Sequence, residues 1–202
     1  MKKIFALVTV FILGLSTLFA DEYVVSKIEC IAADGLYDRE LTFKYDDSEN
    51  VYYLCRSTYS AVYWFTLTPE NLEKLRANLK KVQEWAKLAK ENKSSISKEL
   101  PDSSFSVEGT MKRGNNWYST KWNIELNFFF ISHISDEGEI ISFMIRGGEK
   151  SSKQNQYIDI EFESVVFLNT EIDALINAIS SETIEAAKLK HSQEMKTADM
   201  FN

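Results

Sequence analysis

AVYWFTLTPENLEKLRANLKKVQEWAKLAKEN, residues 61–92, contains a strand pattern that passes directly into a helix pattern. The first seven residues alternate in apolar character, which predicts a β-strand. Thr68 can cap a helix, and Pro69 suits its first position, where a missing N–H costs nothing. Apolar residues then recur every three or four positions, which predicts an amphipathic helix that ends near Asn92. These residues are Leu72, Leu75, Leu79, Val82, Ala86 and Ala89.

The same order of strands and helix occurs twice along the chain. Alternating patterns predict four strands before the first helix and four before a second helix, which begins near Thr170 with Asn169 as its cap. We therefore expect an α+β fold of two tandem β4α units packed together, each an antiparallel four-stranded meander followed by a helix. The predicted boundaries are 21–92 for the first unit, 93–104 for a linker loop, 105–190 for the second unit and 191–202 for a flexible tail.

This internal repeat resembles the tandem β4α arrangement of Whirly-type single-strand-binding proteins. The resemblance covers most of residues 21–190 and implies one domain in which two four-stranded sheets pack with their helices. The family's Lys-Gly-Lys-Ala-Ala-Leu motif has no counterpart in this sequence. Because a shared fold does not carry a shared function, the resemblance assigns no nucleic-acid-binding residue here.

The first twenty residues have the pattern of a secretory signal peptide. Lys2 and Lys3 precede an apolar run over residues 4–15, and Ala20 offers the small residue needed at the cleavage position. A membrane anchor is the alternative, but a spanning helix needs ~20 predominantly apolar residues. We expect cleavage before Asp21 and a periplasmic or secreted protein without a membrane span in its mature form.

Charge argues against a nucleic-acid partner. The 202-residue chain carries a net charge of −7, and loss of Lys2 and Lys3 leaves 21 basic and 30 acidic residues, a formal charge of −9. An acidic chain is repelled by phosphate backbones. The expected partner is an unknown protein or envelope component.

The two cysteines, Cys30 and Cys55, could form a disulfide in an exported protein. They lie in predicted strands with one further strand between them, which in a simple meander separates them by about 9.5 Å, more than the about 7 Å that a bridge spans. Both alternatives stay open.

No arrangement of residues in the sequence indicates catalysis, a metal or a cofactor. His133 and His191 lack neighbours at metal-ligand spacing. The turn at residues 46–50 begins like a calcium loop but lacks the later Gly and Glu that such a loop requires. Asp159, Glu161 and Glu163 form an acidic row that is either a solvated strand face or the carboxylates of an envelope-acting hydrolase.

Aromatic residues beside the turn at residues 114–116 offer a recognition surface. Trp117 and Tyr118 are the candidate binding residues, since exposed aromatic side chains are typical of binding sites. Trp122 is in phase with the apolar face of the next predicted strand and is expected in the core. The leading hypothesis is a non-enzymatic binding module, with a carboxylate hydrolase and single-strand nucleic-acid binding as the alternatives.

Overall fold

The computed structural model describes residues 22–33, 35 and 38–200. The predicted signal peptide, residues 1–20, lies outside these ranges. The described strands are β1 (Glu22–Ala32), β2 (Asp38–Asp46), β3 (Val51–Ser57), β4 (Val62–Leu67), β5 (Ile96–Glu99), β6 (Phe105–Arg113), β7 (Asn116–Ser119), β8 (Ile124–Ser135), β9 (Gly138–Arg146), β10 (Glu149–Ser151), β11 (Asp159–Glu161) and β12 (Val165–Leu168). The helices are α1 (Pro69–Glu91), α2 (Asn169–Ala178) and α3 (Ser181–Asp199).

Eight of these strands close into one antiparallel barrel. Their order around the barrel is β8, β9, β12, β1, β2, β3, β4 and β6. Pairing of Phe105 with Leu126 returns β6 to β8 and completes the ring. The two extra strands, β5 and β7, extend β8 and β6, while β10 and β11 form a separate two-stranded sheet. Closure removes most unpaired strand edges, which would otherwise invite aggregation.

The prediction of two tandem β4α units is therefore wrong, and the Whirly-like arrangement does not hold. Strands from the two halves of the chain join in one sheet at two places. β4 pairs with β6, as Phe65 opposite Gly109 shows, and β1 pairs with β12 through Ile31 and Val166. Each half would leave an unpaired strand at both edges of its sheet. Joining the edges pairs the backbone N–H and C=O groups of these edge strands and directs both apolar faces into a single interior.

Helix α1 packs one face against the barrel, where it contacts β3, β4, β8 and β9, and leaves its opposite face exposed. Leu75 and Leu79 are each 1% exposed, and Trp85 packs edge-on against Phe130 with ring centroids 5.7 Å apart. The Thr68 hydroxyl accepts the Asn71 N–H at 3.2 Å, as expected for an N-cap. The predicted helix and its buried face are confirmed.

Other predicted segments differ in detail. The predicted linker at 93–104 contains β5, which adds to the sheet. The predicted eighth strand is divided into β11 and β12 by residues 162–164, and the Phe162 ring packs edge-on against Phe65 at 4.7 Å. Residues 191–199, assigned from sequence to a flexible tail, continue α3, and the His191 ring stacks on Tyr23 with centroids 4.5 Å apart. Of the helices described here, none combines the length and hydropathy needed to cross a membrane.

Gly147 allows the chain to pass closely over Phe162. A Cβ atom at position 147 would lie against the Phe162 carbonyl oxygen and 2.7 Å from the Phe162 Cβ, whereas a Cβ at Gly148 would meet nothing within 4 Å. We expect Gly147→Ala to cost about 1–3 kcal/mol of unfolding free energy, because the backbone must move to relieve the overlap. Gly148→Ala is the matched control and should change stability by less than about 0.5 kcal/mol. Urea denaturation of both variants measures the difference, and equal midpoints would contradict this packing.

Candidate ligand-binding groove

The acidic row does not converge into a carboxylate site. The Asp159 carboxylate accepts the Ser151 hydroxyl at 2.8 Å, and Glu161 is exposed on the same short strand. Glu163 lies beyond the strand and bonds to Arg39 and Arg56. Within the described ranges, no group of His, Cys, Asp and Glu side chains is arranged to hold a metal ion. His133 is exposed at the end of β8.

Glu163 instead closes one end of the barrel interior as part of an ion-pair cluster. Arg39 Nε and Nη2 donate to the two Glu163 carboxylate oxygens at 2.8 and 3.0 Å, and Arg56 Nη1 also donates to this carboxylate. The Arg56 guanidinium lies 4.8 Å from the centre of the Tyr63 ring. The hydrogen bonds from Arg39, with the nearby Arg56 charge, hold the pKa of Glu163 below its ordinary value despite partial burial. We interpret the cluster as a structural feature, because its charged groups bond to one another.

Cys30 and Cys55 are both free thiols. Cys30 shares the inward face of β1 with Ile28, whereas Cys55 lies between the inward-facing Leu54 and Arg56 on β3 and points outward. Both are buried, and β2 lies between their strands. Their positions on opposite faces of the sheet explain why no bridge forms.

We expect neither thiol to react in the folded protein. Burial raises the pKa of each to about 12, so almost no thiolate, the nucleophilic form, is present at neutral pH. Iodoacetamide at pH 8 should leave the native protein unlabelled and add two groups per chain in denaturant, as intact mass will show. A disulfide-linked chain would take up no label in denaturant without reductant, which would contradict this geometry.

Two indole rings meet on the outer face of the barrel. Trp64 on β4 and Trp117 on β7 both flank β6, where they pair with Thr110 and Lys112. Their ring centroids are 5.1 Å apart with the planes tilted by 37°. Gly114, at φ +59°, supplies the tight turn that folds β7 back along β6 and so brings Trp117 over Trp64. Trp117 remains 42% exposed.

These indoles form one wall of a surface groove of about 320 Å³, named here the aromatic groove. Tyr53 adds a third aromatic ring, and Ser48, Thr66 and Thr110 add hydroxyl groups. Burial, followed by the nearby Glu49 and Asp46 carboxylates, raises the pKa of Tyr53 to about 12, so its phenol stays protonated. The remaining lining consists of carboxylates from four residues: Glu22, Asp46, Glu49 and Glu108.

Two lysines balance part of this negative charge. Lys44 forms an ion pair with Glu22 and holds its ammonium group 5.7 Å from the Trp64 ring centre. Lys112 lies over Trp117 at 5.3 Å. An ammonium above an indole face is attracted by the ring quadrupole, so the two lysines orient the rings as well as adding charge. The groove therefore offers aromatic faces together with hydrogen-bond donors and acceptors.

The structure separates the three aromatic residues predicted beside the 114–116 turn. Trp117 lies in the aromatic groove. Tyr118 pairs with Met111, faces inward and packs against the core while partly buried. The prediction that Trp122 lies in the core is wrong, because it is 68% exposed. Strand β8 begins only at Ile124, so the strand phase used to place Trp122 does not extend to it.

Sequence reasoning missed Trp64 and Tyr53 as groove residues. A signal for Trp64 was present, since β4 reads Tyr63, Trp64, Phe65 and so carries aromatic residues on both faces. Aromatic residues on the outer face of a strand indicate that other residues or a ligand contact that face. Here Trp117 covers only part of that face.

No family model matches the chain, and neither curated proteins nor solved structures show a significant match to it. The described part of the molecule contains an antiparallel eight-stranded barrel with a helix packed against it and an aromatic groove on its outer face.

Proposed function

We propose that this protein is an exported, non-enzymatic binding module that holds a component of the cell envelope or its surroundings in the aromatic groove. The observation that carries the proposal is the contact between Trp64 and Trp117 at the wall of a 320 Å³ groove, with 42% of Trp117 still exposed. Exposed aromatic clusters cost free energy in water unless a partner covers them, and they mark interaction sites.

The size and chemistry of the groove support a ligand rather than packing alone. Small-molecule sites typically occupy roughly 300–1,000 Å³ and combine apolar walls with a few polar groups that fix orientation. The aromatic groove falls within this size range, and its more polar lining combines three aromatic rings with four carboxylates and three hydroxyl groups. By contrast, the acidic row at residues 159–163 does not bring its own carboxylates together, as the hydrolase alternative required.

Export rests on the sequence of the first twenty residues. Lysines, an apolar run and a small residue occur there in the order that a signal peptidase requires. N-terminal sequencing of protein recovered from outside the cytoplasm should begin at Asp21. A chain that keeps residues 1–20 in a membrane fraction would instead indicate an uncleaved anchor.

A fragment screen tests whether the groove binds ligands. Indole N–H resonances of ¹⁵N-labelled protein can be followed with glucose, N-acetylglucosamine, tetramethylammonium, acetate and phosphate as separate probes. We expect at least one probe to shift the Trp64 and Trp117 signals, since both rings border the same groove. Trp117→Ala should abolish the shift at Trp64. Leu189→Ala, which removes an exposed apolar side chain from α3, should leave it unchanged.

Two kinds of outcome would overturn the proposed function. Probes that shift only resonances away from Trp64 and Trp117, or none at all, would show that the aromatic groove is not a binding site. Retained binding in Trp117→Ala would also exclude the groove, because the variant removes its exposed wall.

A further inference from the structure

A second cleft adjoins the aromatic groove. It has a volume of about 800 Å³ and lies over β10 and β11, with Trp122, Lys121 and Gln156 in its lining. Lys153 lines this cleft and donates to the Glu108 carboxylate at 2.8 Å, while Glu108 lines the aromatic groove. One ion pair therefore lies between the two depressions, and we refer to the two depressions together as the track.

Backbone contacts fix the second cleft against the first. The Lys153 N–H donates to the Ser119 carbonyl at 2.8 Å, and the Lys121 N–H donates to the Ser151 carbonyl at 2.8 Å. The Gln154 side-chain oxygen also accepts the Ser119 N–H at 2.8 Å. These bonds join the chain beside β10 to the end of β7, the strand that carries Trp117. The track is therefore held by backbone hydrogen bonds and is preformed.

Aromatic faces lie at both ends of the track. Trp64 and Trp117 stand in the aromatic groove, and Trp122 is 68% exposed at the second cleft. Lys121 holds its ammonium group 6.0 Å from the Trp122 ring centre, which matches the arrangement of Lys112 over Trp117. The same element, an exposed indole with a lysine over it, thus occurs twice, and a repeated element suits a ligand with repeating units.

Charges of both signs line the track, with the carboxylates concentrated in the aromatic groove and the lysines in the second cleft. Its lining includes six carboxylates and three lysines, and Lys44 and Lys112 place two further ammonium groups beside the indoles. The nearly balanced charge creates no strong field of one sign, so it favours neither a polyanion nor a polycation. It does supply many hydrogen-bond donors and acceptors, which a neutral ligand rich in hydroxyl groups would use.

We infer that the ligand of this module is a neutral, linear oligosaccharide of pyranose units that extends from the aromatic groove across the Glu108–Lys153 ion pair into the second cleft. The inference rests on the proposed function of the groove. A pyranose ring presents C–H bonds on its faces, and these carry partial positive charge that is attracted to the negative face of an indole. Its hydroxyls donate and accept hydrogen bonds at its edges, where the charged side chains lie.

The test measures affinity for oligosaccharides of two lengths. Cellotetraose, maltotetraose and chitotetraose, each with its disaccharide, are titrated into the mature protein by calorimetry. We expect one tetrasaccharide to bind about tenfold or more tightly than its disaccharide, because only the longer chain reaches the second cleft. The affinity should change little with salt, since a neutral ligand releases no counterions.

Variants at the two ends of the track test its two parts independently. Trp117→Ala should abolish binding of both lengths. Trp122→Ala should weaken the tetrasaccharide about tenfold and leave the disaccharide unchanged. Leu189→Ala, on a helix that lines neither depression, is the control and should bind like the natural protein.

Several results would overturn the inference. The inference is excluded if none of the three tetrasaccharides binds, or if both lengths bind with equal affinity. It is also excluded if Trp122→Ala leaves the affinity for the tetrasaccharide unchanged. Tighter binding of hexalysine or of an oligothymidylate would replace the glycan with a charged polymer. If an ammonium or acetate fragment still shifts Trp64 and Trp117 while no glycan binds, only the glycan is excluded and the groove remains a binding site.

Discussion

Leu75→Asp is expected to unfold the protein or to cost at least about 4 kcal/mol of unfolding free energy. Leu75 is 1% exposed on the face of α1 that packs against the barrel. Aspartate there would bury an unpaired carboxylate and leave a cavity between the helix and the barrel. Because single domains are stable by only about 5–15 kcal/mol, this loss is a large part of the total.

Ala77→Asp is the matched control on the same helix. Ala77 is exposed two residues further along, so the new carboxylate stays in water and the helix loses only a small amount of intrinsic propensity. Its effect should be within about 1 kcal/mol. Thermal and urea denaturation of the two variants measure the contrast. Similar stabilities would show that α1 does not present the Leu75 face to the barrel.

Helix α1 could be predicted from sequence because its determinants are local. A cap at Thr68, proline at the first position and apolar residues at three- and four-residue spacing all lie within one segment. The buried face follows from the same spacing, and Leu79 is 1% exposed as expected. Alternation likewise located most of the strands, because each strand has one inward face.

The pairing of the strands could not be predicted in the same way. Alternation shows which face of a strand is apolar, but it does not show which neighbour lies at each edge. The contacts that close the barrel join residues far apart in the chain, such as Ile31 with Val166 and Phe65 with Gly109. A repeated order of strands and helix therefore suggested two sheets, although the edge strands of the two halves pair with each other.

The aromatic groove was predicted only in part for the same reason. Trp117 was identified because it follows a turn, which is a local feature. Trp64 joins it only because β4 and β7 both flank β6, and that arrangement depends on long-range pairing. Trp122 was misplaced because the strand was assumed to begin before Ile124. A site assembled from several strands therefore cannot be predicted from the pattern within one segment.

The contacts of Glu163, a charged residue, also could not be predicted from the sequence. Its alternation with Asp159 and Glu161 suggested one acidic face, yet the chain leaves β11 at Glu161 and turns Glu163 toward the barrel interior. There it meets Arg39 from β2 and Arg56 from β3. Nothing in the sequence near residue 163 indicates these partners.

We expect Glu163→Gln to cost about 2–3 kcal/mol at pH 7, somewhat below the cost of about 3–5 kcal/mol for breaking a fully buried ion pair. The side chains of Arg56 and Glu163 are 11% and 23% exposed, so the guanidinium left behind is poorly solvated. Glu161→Gln is the matched control, because this neighbouring carboxylate is exposed. Urea denaturation of both variants at pH 7 should show a large loss only for Glu163→Gln.

The pH dependence of this loss identifies its electrostatic origin. The hydrogen bonds from Arg39, with Arg56 nearby, lower the pKa of Glu163 in the folded protein. Its contribution to stability is therefore fully present above about 4.3, the ordinary pKa of glutamate, and is lost as the pH falls through the lower folded-state value. The stability gap between the natural protein and Glu163→Gln should accordingly be widest near neutrality and should narrow below pH 4. A gap that stays constant down to pH 3 would mean that the carboxylate charge contributes nothing and that only the shape of the side chain matters.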